Sequence, residues 1–249
     1  MASTGKMQGK VALVTGGSGG IGTQVCLNFA SQGASLVIVD MVSADELTSK
    51  IAASGGKAIS AKADISKSAD ITAAFDKAVE AFGTVHIVVH LAAIMLHNGS
   101  TIPTTTEEEW DRIFSINAKG AFLVAKEAAN RLGPGGRIVL TSSLLAERPM
   151  VGFGPYSCTK AVVEVLVKVL AKELAGRKIT INAIAPGPVK TPMLFQTKTP
   201  EMLDELVKAC PLGRLGEAKD IAHLIQFLVS DEAEWVNAQI LAVGGGLQP

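Results

Sequence analysis

Tyr156 and Lys160 are four residues apart at the start of a helical stretch, so they share one helix face. An ammonium beside a phenol lowers the phenol pKa from its ordinary ~10 towards neutrality, and a phenol so tuned works as a general acid or base. Tyr156 is the only tyrosine in the chain. Tyr/Lys pairs at this spacing also arise by chance in helices, so the pair needs company. Ser143 supplies it, because it follows the strand-like run RIVLTS and a hydroxyl there can hold a substrate oxygen beside the phenol. Its other reading is ordinary strand-end loop chemistry. Asn117, in SINAKG, is polar within an otherwise apolar helical segment. It either holds a water linked to Lys160 or faces inward with its amide satisfied by backbone.

A second constellation lies near the N-terminus. TGGSGGIG, residues 15–22, follows a strand and opens a helix. Gly16, Gly20 and Gly22, with Ser18 and Ile21 between them, let the backbone turn tightly under a pyrophosphate at a helix N-terminus. Asp40 closes the second strand, where a carboxylate accepts hydrogen bonds from ribose hydroxyls and repels a 2′-phosphate. Gly17, Ser18, Gly19 and Met41 offer no cation to attract that phosphate. NAD is therefore the expected cofactor, with Asp40 as a mere turn cap the alternative. Asp64–Ile65, past the third strand, reads either as a contact to the adenine rim or as the N-cap of a 67–82 helix.

The elements that must position these groups follow from hydrophobic pattern. VALVT (11–15), LVIVD (36–40), KAISAK (57–62), HIVVHL (86–91), RIVLTS (137–142), ITINAI (179–184) and QILAV (239–243) are mostly continuous apolar runs, as parallel strands covered on both faces require. Helical periodicity fills the gaps, which predicts an α/β, doubly wound, seven-stranded parallel sheet in a single domain over 1–249. The helix from Tyr156 to Ala175 is apolar nearly all round, leaving only Glu164–Lys168–Lys172 as a polar strip. One side can face the sheet, and the other reads as a subunit contact. Residues 186–200, rich in Pro and Thr, read as a long irregular substrate loop reaching to about 212.

Lys+Arg and Asp+Glu number 23 each, so nothing points to nucleic acid or an anionic membrane. The three cysteines lack disulfide or zinc spacing, and MASTGKMQGK has no apolar leader core, so a cytoplasmic protein is expected. His86 and His90 point the same way on one strand but stand ~13 Å apart, too far to share a metal; no metal site is expected. Cys158 points away from Tyr156 and reads as packing.

TGGSGGIG, Asp40, Asp64–Ile65, Asn117–Ala118–Lys119–Gly120, Ser143, Tyr156–x–x–x–Lys160 and Pro186–Gly187–Pro188–Val189–Lys190–Thr191 together resemble the short-chain dehydrogenase/reductase family, in its order and spacing, from Gly9 to Gly246. Within it, KEAANRL, GGRIVLTSSL, LAKELAG and PLGRLGEAKDIA are similar to plant aldehyde-reductase-like and fungal naphthol-reductase members, branches that favour NADP; Asp40 with Gly19 departs from that. The resemblance implies a Rossmann sheet and a catalytic set of Asn117, Ser143, Tyr156 and Lys160. It also implies cofactor contacts at His90, Ala92, Pro186 and Gly187, with Val189 and Thr191 on the nicotinamide amide. Dimers or tetramers would pack through helices at 106–130 and 156–175. The family usually shows Asn-Asn-Ala-Gly where this chain has His90-Leu91-Ala92-Ala93. Loss of the amides is expected to weaken the tie between this strand and its neighbours, and Ala93 to be strained if its φ is positive. Met95, Leu96, Leu144, Leu145, Met150, Phe153, Met193, Leu194 and Phe195 are the expected pocket walls. They suit an apolar terpenoid, polyketide or long-chain carbonyl. The expected activity is NAD(H)-dependent interconversion of a secondary alcohol and a ketone or aldehyde. The alternative is a non-redox cyclase or isomerase that keeps NAD bound.

Overall fold

In a computed structural model of the protein, which describes residues 5–96 and 101–247, the seven strands form one parallel sheet in the order β3-β2-β1-β4-β5-β6-β7. They are β1 (Val11–Thr15), β2 (Ser35–Asp40), β3 (Lys57–Lys62), β4 (Ile87–His90), β5 (Arg137–Thr141), β6 (Thr180–Pro186) and β7 (Ile240–Val243). These match the apolar runs to within two residues at either end. Every residue of β1 and β4 is buried, because helices cover both faces. Alternate residues feed the two layers. Leu13 packs with α3 (Ser68–Phe82), α5 (Gly120–Arg131) and α7 (Gly154–Glu173), while Ala12 and Val14 pack with α1 (Gly20–Ser31), α2 (Asp45–Ala53) and α10 (Ala218–Leu228).

The chain order reverses between β1 and β4, which lie side by side with Thr15 opposite His90. Helices leave β1 and β4 towards opposite faces of the sheet, so a crevice opens beyond their C-terminal ends, the usual place for a ligand in such a sheet. The glycine-rich turn, the end of β4 and the loop after β5 all border it.

Two elements depart from the sequence reading. Residues 186–200 are not irregular, since α8 (Pro192–Thr197) and α9 (Pro200–Ala209) occupy most of the segment to 209. Each begins with the same device: the Thr191 and Thr199 hydroxyls accept from the backbone N–H groups of Leu194 and Met202, and Pro192 and Pro200 take the first helical position. The paired Thr-Pro steps were the signal. The helix expected over 106–130 is α4 (Glu107–Ile113), a π-helical turn (Phe114–Lys119) and α5 run together. A Thr106/Glu109 capping box starts it. Among the described residues, no helix is long and apolar enough to cross a membrane.

Candidate active site

α7 starts two residues before Tyr156, with Pro155 in its first turn, and buries Tyr156 and Lys160 on the side facing β5. Ser143 caps α6 (Leu144–Glu147) in extended conformation, and its Oγ accepts from Leu145 N at 3.2 Å. The Ser143 hydroxyl is near enough to the Tyr156 phenol to pull its pKa down. The two hydroxyls are thus neighbours at the C-terminal end of β5, where one substrate oxygen can sit against both.

Burial pushes the Tyr156 phenol up to about 12, with the Ser143 hydroxyl pulling the other way. This corrects the expectation of a phenol lowered towards neutrality by Lys160. The Lys160 Nζ stands 5.5 Å from the centre of the phenol ring and donates to the Thr141 carbonyl at 2.8 Å, so its ammonium is held by backbone beside the ring. Burial in turn pushes Lys160 down to about 8.

Asn117 lies in the π-helical turn, a distortion that recurs at functional sites. Its Oδ1 accepts from Ile94 N at 2.8 Å, and its Nδ2 donates to Ile94 O at 2.9 Å and Thr159 Oγ1 at 3.2 Å. Of the two readings of Asn117, the side chain takes the one satisfied by protein. It clasps the strand exit after β4.

At the other end of the crevice, Gly16 adopts φ +67°, and a Cβ there would fall 2.6 Å from Ala92 N. A Cβ on Gly22 would fall 2.1 Å from Gly16 O, and one on Gly20 would press on Thr191 at 3.0 Å. Glycine is therefore required for the turn to lie between the end of β4 and the start of α8. The first turn of α1 holds no acidic residue, and Ser18 Oγ is buried with no partner. A bare helix N-terminus, a backbone cradle without side chains and an orphaned hydroxyl together fit a dinucleotide pyrophosphate. Ile21 packs on the core beneath this turn. The Asp40 carboxylate accepts from Ser18 N at 3.0 Å and Met41 N at 2.8 Å, so it shapes the turn and has lone pairs left for ribose hydroxyls.

Asp64 is not the N-cap of α3, a position held by Lys67; its Oδ1 accepts from Ser66 N and Oγ in a local turn. The Ile65 side chain is buried against Gly120. Gly187 N donates to Val243 O at 3.0 Å, directly after Pro186 closes β6. Val189 bridges Gly216, and Thr191 Oγ1 donates to Val189 O at 3.2 Å.

A cavity of about 410 Å³ opens between the 93–96 segment, α4 and α8. Met95, Leu96 and Met193 line it as expected, together with Glu109, Arg112 and Gln196, which sequence reasoning missed. A second, of about 10 Å³, touches Met95, Leu96, Phe153 and Tyr156. Met150 and Phe195 are more than half exposed and line neither cavity, and Leu144 packs against Gly187 and Gly244 instead. Cys158, expected to be packed, is exposed. It shares an outer stripe of α7 with Val162, Val165 and Val169, each at least 39% exposed.

A family model described as Enoyl-(Acyl carrier protein) reductase matches residues 16–248. A short-chain type dehydrogenase/reductase of Picea abies is 45% identical, over 96% of this chain and 92% of its own. The chain belongs to the short-chain dehydrogenase/reductase family. The NADPH-dependent aldehyde reductase-like protein, chloroplastic, of Arabidopsis thaliana is 44% identical over 96% of this chain and 94% of its own. Among solved structures, a short-chain dehydrogenase/reductase from Serratia marcescens superposes with a TM-score of 0.92 at 32% identity, covering 98% of this chain and all of that one.

Against the family's usual Asn-Asn-Ala-Gly, this dehydrogenase/reductase keeps its strand tie by other means. His90 is buried, its Nδ1 lies 2.7 Å from Thr15 Oγ1, and its carbonyl accepts from Thr141 Oγ1 at 2.7 Å. The tie expected to weaken is thus made by an imidazole, held neutral with its pKa pushed down to about 3 by burial and by the nearby Lys160 charge. Ala93 is not strained: among the described non-glycine residues, only Lys178 and Ala238 have positive φ.

Proposed function

We propose that this family member is an NAD(H)-dependent oxidoreductase that interconverts a secondary alcohol and a ketone or aldehyde on a largely apolar small molecule. The observation that carries this reading is the buried cluster of Ser143, Tyr156 and, one helical turn on, Lys160, at the same sheet edge as the glycine-rich turn. The nicotinamide dinucleotide, when bound, accepts or supplies the hydride. Gly16, Gly20 and Gly22 cradle its pyrophosphate beside Ser18, and Asp40 takes ribose hydroxyls. Val189 and Thr191 stand at its nicotinamide end, while Ala92, Pro186 and Gly187 supply backbone walls. Ser143 orients the substrate oxygen, and Tyr156 removes the proton of the alcohol or returns it to the carbonyl. Lys160 supplies the positive charge against which the phenolate forms. Asn117 holds the backbone at Ile94 that borders the cavity.

Asp40 supports NAD(H), because a carboxylate at that place opposes a 2′-phosphate. Two observations favour NADP(H): Lys62 lies in register with Asp40 on the neighbouring strand, and a relative is named as NADPH-dependent. Initial rates with NADH and NADPH decide between them. The NAD(H) reading expects a preference for NADH that Asp40→Ser reduces, whereas a native preference for NADPH refutes it.

We read the chain as one domain that pairs through the exposed apolar stripe of α7, in a dimer or tetramer, with the three unpaired cysteines suiting a reducing cytoplasm. The decisive test of the chemistry follows dinucleotide absorbance across a panel of apolar alcohols and ketones. Tyr156→Phe should lower turnover about 10²–10⁴-fold while sparing dinucleotide binding. Undiminished turnover in that variant would refute the role of the phenol.

A further inference from the structure

We infer that His90 is a positioning residue for Lys160, acting through a buried file of hydrogen bonds that runs from β1 across β4 and β5 to α7. The inference rests on the reading of Tyr156 and Lys160 as the acid/base pair. His90 and Thr15 face each other in register at the ends of adjacent strands, and both are buried. The Thr15 hydroxyl meets His90 Nδ1 at 2.7 Å. The His90 carbonyl accepts from the Thr141 hydroxyl at 2.7 Å, and the Thr141 carbonyl accepts from Lys160 Nζ at 2.8 Å.

Each link enters a residue through its side chain and leaves through its carbonyl, or the reverse. Anchoring the imidazole therefore places the residue 90 carbonyl, which places Thr141, whose carbonyl takes the ammonium. The file begins on the strand that ends in the glycine-rich turn and finishes at the catalytic helix. His90 thus does more than fill the sheet. It keeps the Lys160 ammonium on backbone, 5.5 Å from the centre of the Tyr156 ring, instead of on the phenol oxygen.

Because Tyr156 is the only tyrosine, its phenolate titration in the ultraviolet reads the ammonium's position directly, whether or not a substrate is known. In His90→Leu the freed ammonium should approach the phenol oxygen and lower the phenolate midpoint by about one unit or more. Turnover should fall about tenfold, with KM for the dinucleotide within about threefold of the native value. His90→Asn, whose Oδ1 accepts from Thr15, should restore the midpoint. Thr15→Val should reproduce the shift, and the double variant Thr15→Val/His90→Leu should add little to either single one, as members of one network do. Should His90→Leu fail to fold, Thr141→Val, which breaks the file one step on, serves for the same titration. A folded His90→Leu or Thr141→Val with an unmoved or raised midpoint overturns the inference, as does full additivity in the double variant. A native protein inactive on every carbonyl tested would instead overturn the proposed function and leave this titration readable.

Discussion

The Lys160 ammonium is buried beside a carbonyl and, among the described residues, forms no ion pair with a carboxylate, and that residue sets two expectations about pH. Its folded pKa of about 8 lies below the ordinary 10.5. In carbonyl reduction the phenol becomes phenolate as it gives up its proton, and the charged lysine favours that state. Reductive kcat/KM should therefore decline as pH rises through about 8, and Lys160→Arg, which keeps its charge, should move the decline to higher pH. A profile flat across that range would remove the lysine from the chemistry. The second expectation concerns stability. Between about 8 and 10.5 the unfolded chain binds more protons than the folded one, so this group's contribution to stability rises with pH over that window and is least favourable below it. Lys160→Met should raise Tm by a few degrees at neutral pH, with the gain shrinking as pH nears 10.5, while lowering turnover. Thermal denaturation across pH checks the sign. Much of this site was legible in the residue string, because Tyr156, Lys160 and Ser143 sit at spacings that a helix and a strand end convert into proximity. The direction of the phenol shift was not legible, since it depends on burial and on where the ammonium points.

At the level of elements, glycines and threonines do the work that composition alone understates. Gly16 holds a left-handed backbone pressed against the end of β4. Gly16→Ala meets both the strained φ and a 2.6 Å approach to Ala92 N. It should cost about 1–3 kcal/mol of stability and weaken dinucleotide binding at least about tenfold. Urea unfolding and a tryptophan fluorescence titration measure the two effects, and a variant with native affinity would show that the turn does not form the cradle. Threonines 15, 141 and 159 each end a strand or sit one turn into α7, and each hands a hydrogen bond onward inside the site. A polar residue closing an apolar strand was a visible signal for the first two. Their partners were not visible, because strand register and helix packing choose them.

Across the whole molecule, the outer stripe of α7 and Phe122 on α5 are solvent-facing apolar surface on helices whose inner faces fill the core. Such a patch is unfavourable on an isolated chain, and covering it with a second copy removes it from water. Val165→Glu places a charge at the middle of that stripe, where Val165 is 60% exposed. The expected outcome is a mass by light scattering that drops to a smaller assembly or a monomer, with Tm lowered. An unchanged mass would move the subunit contact elsewhere.

The succession of strands, the parallel sheet, the glycine-rich turn and the Ser143–Tyr156–Lys160 spacing were all settled by the amino-acid string, because apolar periodicity and short-range backbone geometry are local properties. The tertiary structure alone decided that His90 replaces an amide tie, that Asn117 clasps Ile94, that Lys160 rests on Thr141 and that Arg112 and Glu109 enter the cavity. Those pairings join residues far apart in the chain. Their partners are set by sheet register and by which polar groups burial leaves in need of a hydrogen bond, and neither can be read from one segment at a time.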